Sequence, residues 1–201
     1  MKMRNLIKCL FLAATIFCVT NIELNALAQN YSNQNVLRQA EQISGDKFTV
    51  VTKTTAHAIV YSNKQPSKKF LQAIDKGLMD LFAVARKNGY KTKLHYADYT
   101  IFIAQPDRQT NADGDYSPGF VIPVKQYAGS SYDKGGFMYV AGMVISNNPC
   151  AFLITDYTKE LNRVSDVVRY EGEHLVLFHN DRQRYNETAD HSKSGGHPIL
   201  Q

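Results

Sequence analysis

Near one end of the chain, Tyr170-Glu171-Gly172-Glu173-His174 sets a carboxylate three residues before an imidazole. On a helix, positions i and i+4 share a face, so side chains at 170 and 174 can grip one ion. A carboxylate at 171 then reaches the water which that ion polarises. The chemistry implied is metal-assisted hydrolysis, with Glu171 as general base and His174 as a ligand. Tyr170 holds the other ligand place, and a phenol with an unperturbed pKa of about 10 binds metal weakly near neutrality. A substitute ligand is needed. Four of the six histidines, His174, His179, His191 and His197, fall in the last 28 residues, and neutral imidazole suits zinc. His191 is the leading third ligand, because a turn-rich stretch before it can bring the chain back over the helix. His179 lies about 140° around a helix from His174, so it can join the same ion only if the helix ends first, as Asn180-Asp181 would allow.

Apolar residues fix how that helix sits. Tyr157, Leu161, Val164, Val168, Glu171, Leu175 and Phe178 recur at spacings of four and three, with Val167 and His174 along the edge of the stripe. This places Glu171 on the core face and turns Glu173, about 160–200° away, toward solvent. A carboxylate on a buried face needs a partner, a metal or a proton. A plainer role for Glu171 is to anchor a neighbouring backbone or arginine, and a plainer reading of His191 and His197 is a polar tail with 192–196 as linker.

With these residues in view, the chain resembles the zincin-type metallopeptidases, in which a sheet with a substrate-binding edge strand precedes an H-E-x-x-H helix. The resemblance spans Ser67 to His191 in element order, and its specific motif is Tyr170 to His174. It implies Zn as cofactor, Glu171 as general base, His174 as ligand with His191 or His179 completing the site, and Phe137–Ile145 as the edge strand that pairs with a peptide or protein substrate. The chain departs from the family pattern at Tyr170, where the first histidine ligand would stand. The alternative function is a zincin-like binding module that has lost its metal site and catalysis.

The elements that must position these groups follow from local signals. A short amphipathic helix carries Val36, Leu37, Ala40 and Ile43 and stops at Gly45; Lys47 to Tyr61 is a strand or hairpin in which His57 has no ligand partner nearby. Ser67 caps a helix with a face of Phe70, Ala73, Ile74, Gly77, Leu78, Leu81, Phe82 and Ala85, ended by Asn88-Gly89. Tyr99–Ala104 is a central strand. Gly119–Val124 and Gly136–Ser146 are two further strands, flanked by the polar loop 105–118 and the glycine-bearing loop 127–135, with Ala151–Thr155 the last. Asp113-Gly114-Asp115 lacks the ligand spacing of a calcium loop. Asp156 or Thr158 can cap the final helix. The expected fold is one α+β domain, a mixed, mainly antiparallel sheet packed against two main helices, without βαβ units.

The first 28 residues read as a signal peptide: Lys2, Arg4 and Lys8, an apolar run from Leu10 to Thr20, and Ala26-Leu27-Ala28 as cleavage site. The expected product, 29–201, is secreted or periplasmic and has no segment for stable membrane insertion. Cys9 and Cys18 leave with the leader, so Cys150 stands alone without a disulfide partner, and its place at the head of an apolar run fits a buried strand thiol. The product keeps 20 Lys/Arg against 17 Asp/Glu, too mild a surplus, with no basic run, for nucleic-acid binding. That count also ranks a nuclease built on His179-Asn180-Asp181 last. A serine hydrolase is excluded because no G-x-S-x-G elbow occurs.

Overall fold

The structure, a computed structural model, describes residues 33–106, 120–123, 137–189 and 196–201. In chain order these form helix α1 over 33–44, strands β1 (Val50–Lys53) and β2 (Ile59–Ser62), helix α2 (Lys68–Lys87) and a 3-10 turn at Tyr96–Asp98. Strands β3 (Tyr99–Ala104), β4 (Phe120–Pro123), β5 (Phe137–Val140), β6 (Gly142–Ser146) and β7 (Cys150–Thr155) follow, then helices α3 (Leu161–Asn180) and α4 (Arg182–Thr188). The chain divides into two compact units, Met1–Leu37 and Arg38–Gln201. Of the first, only 33–37 at the start of α1 are described; the expected leader at 1–28, residues 107–118 of the expected polar loop and all of the expected loop 127–135 lie outside the described residues. Among the described residues no helix is long and apolar enough to cross a membrane.

The second unit is α+β, built on a five-stranded sheet of order β1-β2-β3-β7-β6. β1 and β2 form a hairpin whose turn carries an exposed His57 at φ 77, closed by Thr54 N donating to Ala58 O at 2.9 Å. The centre of the sheet corrects the mainly antiparallel expectation: β2/β3 and β3/β7 are parallel, and only the marginal pairs β1/β2 and β7/β6 are antiparallel. With α2 as its crossover, β2-α2-β3 is a βαβ unit, which the sequence reading had excluded. The reason is in the strands themselves. All six residues of β7 and five of six in β3 are buried, as expected of central strands covered on both faces.

Helix α2 follows its local signals closely. Ser67 Oγ accepts from Phe70 N at 3.1 Å, the eight expected apolar positions are its buried residues, and Gly89 at φ 80 follows the Asn88 cap. It packs on α3 through two glycines: a Cβ on Gly77 would run into the Ser165 carbonyl and Val168, and one on Gly172 would run into Leu81. Helix α3 starts after Glu160 without a side-chain cap. The expected cap residues are engaged otherwise, Thr158 donating to Asp156 and Asp156 pairing with Lys64 at 2.8 Å.

The expected single strand 136–146 is two. β5 pairs with β4 in a separate two-stranded sheet, and β6 pairs with β7 in the main sheet. The break falls at Ala141, whose carbonyl accepts Thr155 N at 3.0 Å and Thr155 Oγ1 at 3.2 Å. The edge strand of the main sheet is therefore Gly142–Ser146 rather than 137–145. Cys150 is a buried free thiol, as expected, and burial pushes its pKa up to about 11, which keeps it protonated and unreactive.

Candidate active site on helix α3

Three covers meet α3. One side lies against β6 and β7, another against α2, and a third is closed by the tail 197–201. Glu171 belongs to the first. A Cβ on Gly142 would come within 2.7 Å of Glu171 Cγ and 2.9 Å of its Oε1, and Val144 of the same edge strand donates its backbone N–H to the carboxyl. The residue keeps some accessible surface, yet its carboxyl is enclosed between Val167 and the strand. Burial raises its pKa from 4.5 to about 8; the Val144 N–H works against this and the charge of Glu173 adds to it. A carboxyl with that pKa can both take and return a proton near neutrality.

Glu173 does not face solvent as the periodicity implied. It is 0% exposed. Its Oε2 accepts from Ile199 N at 2.8 Å and His197 Nδ1 at 3.2 Å, while Oε1 faces Leu200 N at 3.4 Å and Arg169 Nη2 at 3.4 Å. The helical pattern anticipates one covered face, and here the tail supplies a further cover. Arg169 and Arg184 complete it by donating to Leu200 O at 2.8 Å and Ile199 O at 2.7 Å, with the Leu200 side chain fully buried.

This docking brings His197 onto the face shared by Tyr170 and His174. Its ring stacks on Tyr170 at 5.0 Å and 15°, and meets His174 nearly at right angles at 4.9 Å. His174 is buried. His179 goes elsewhere: α3 runs on to Asn180, and His179 Nε2 bonds the Asn147 carbonyl at 2.7 Å. The five-residue separation thus keeps it off the His174 face. His191 lies outside the described residues. Sequence reasoning ranked His197 below His191 and gave Glu173 no role; the available signal was Pro198-Ile199-Leu200, an apolar triplet closing an otherwise polar tail.

The described residues alone do not make up a zinc site. His174 and His197 are two imidazoles on one face, and the Nδ1–carboxylate bond of His197 is the outer support that metal-ligating histidines have. A catalytic zinc takes three protein ligands, and among the described residues no group of three or more His, Cys, Asp or Glu is arranged to hold an ion. The chain was compared with family models, curated proteins and solved structures, and nothing matches in any of the three.

Proposed function

We propose that this protein is an exported zincin-like hydrolase acting on peptide or protein substrates at the α3–β6 junction. One observation carries the reading: the Glu171 carboxyl, which burial raises to a pKa of about 8, is held against the edge strand at Gly142 and Val144, and the tail brings His197 to the Tyr170–His174 face of the same helix. Glu171 is the residue that holds and moves the proton. His174 and His197 would hold zinc, with a third donor from the tail segment that carries His191; when bound, zinc supplies a polarised water. The outward edge of Gly142–Ser146 is where an extended substrate would lie.

A second reading, a zincin-like binding module without metal or catalysis, is favoured by the Tyr170–His197 stack, which fills the place of the first ligand. Zinc content by inductively coupled plasma mass spectrometry, together with cleavage of a peptide library, separates the two. About one zinc per chain, lost in His174→Ala and retained in Glu171→Gln, with cleavage lost in both, supports the hydrolase. No zinc in the wild type after zinc is supplied, and no cleavage, sinks it and leaves the binding module.

A further inference from the structure

We propose that Glu173 is a positioning residue: its buried carboxylate fixes His197 as the Nδ1–H tautomer, so that the neutral ring carries its lone pair on Nε2 at the face shared with Tyr170 and His174. This deepens the reading above and rests on it, in that this face is taken as the working one. Four donors converge on two oxygens: His197 Nδ1 and Ile199 N on Oε2, Leu200 N and Arg169 Nη2 on Oε1. A carboxylate can accept all four. An amide cannot, because whichever way it turns, its NH2 opposes either the Ile199 N–H or the Leu200 and Arg169 donors.

The anchor is more than a tail clip. Ile199 and Leu200 already have carbonyls held by Arg184 and Arg169, and a fully buried carboxylate is costly to desolvate unless its charge is well used. Its bond to Nδ1 acts on chemistry, because a donor at Nδ1 dictates which nitrogen remains an acceptor. The Tyr170 stack and the His174 edge then hold the ring in one orientation. The tail residues His197–Leu200 are thus part of the site, and Glu173 acts through His197 without touching substrate.

The test is two-bond 1H–15N spectroscopy of histidine ring nitrogens in the full chain, at mildly alkaline pH where imidazole is neutral. His197 is identified by the signal lost in His197→Gln. The wild type is expected to show Nδ1 protonated and Nε2 unprotonated, and Nε2 should shift when zinc alone is added. In Glu173→Gln the Nδ1–H population should fall, and the zinc concentration needed for the shift should rise by about 10–100-fold. A protonated Nε2 in the wild type overturns the proposal, as does an unchanged tautomer in a folded Glu173→Gln. The wild-type spectrum decides even if that variant does not fold. The expected tautomer with no zinc response at His174 would instead overturn the metal reading and leave the positioning role standing. A zinc response with His197 protonated at Nε2 would do the reverse.

Discussion

Gly142 and Glu171 touch so closely that no side chain can stand between strand β6 and helix α3: a methyl at 142 would lie 2.7 Å from Glu171 Cγ and equally close to Val167 Cγ1. The edge strand and the carboxyl are therefore fixed to one another by the absence of a Cβ. Gly142→Ala is expected to cost about 1–3 kcal/mol, the usual range for overpacking a close contact, and to push the Glu171 carboxyl off the Val144 N–H. Urea denaturation reads the first effect. The second appears as a change in the Glu171 titration midpoint; an unchanged midpoint would show that the carboxyl keeps both its cover and the Val144 N–H.

Glu171 also gives the fold a pH dependence with a defined sign. Its folded pKa of about 8 exceeds the ordinary 4.5, so between those values the folded protein retains a proton that the unfolded chain has released. Stability is fully present below the lower value and is lost as pH rises toward the upper one. At about 1.4 kcal/mol per pKa unit the loss amounts to roughly 3–5 kcal/mol. Glu171→Gln, which carries no titrating proton, should match the wild type near pH 5 and exceed it in stability at pH 8.5. Equal pH slopes for the two proteins would show that the carboxyl is solvated.

What the sequence revealed follows the range of each signal. Helix α2 was legible throughout because Ser67, its apolar face and Asn88-Gly89 act within a few residues of one another. The parallel pairing of β3 with β7 was not, since its partners lie some fifty residues apart and no local pattern states which strand lies beside which. The break at Ala141 had only Gly142 to announce it. Glu171 was placed correctly by helical periodicity, whereas Glu173 was misplaced by the same rule. Periodicity identifies the face covered by the main core, and Glu173 is covered by a segment that arrives 26 residues later through Ile199.

That late cover makes the tail sensitive to one side chain. Removing Glu173 leaves the Ile199 and Leu200 amides and the Arg169 guanidinium without their buried acceptor. Losing one member of such a buried charged group typically costs about 3–5 kcal/mol. Glu173→Ala should show this loss in denaturant and, in addition, a tail cut rapidly by carboxypeptidase under native conditions. Leu200→Ala should also free the tail, through lost burial worth about 2–5 kcal/mol. A tail that stays resistant in both variants would mean that Arg169 and Arg184 suffice to hold it.

His179 follows His174 by five residues, about 140° around helix α3, and the structure gives them different work. His179 Nε2 holds the Asn147 carbonyl at 2.7 Å, just before β7, while His174 is buried beneath His197 on the opposite flank of the motif. His179→Ala should therefore lower stability by about 1 kcal/mol, the net worth of one hydrogen bond, and leave zinc uptake unchanged. His174→Ala should abolish zinc uptake. Isothermal titration with zinc on both variants, beside their urea midpoints, measures the two effects together. If His179→Ala instead lost zinc as His174→Ala does, the helix would have to end before His179 in solution, and the ion would sit toward Asn147 rather than under the tail.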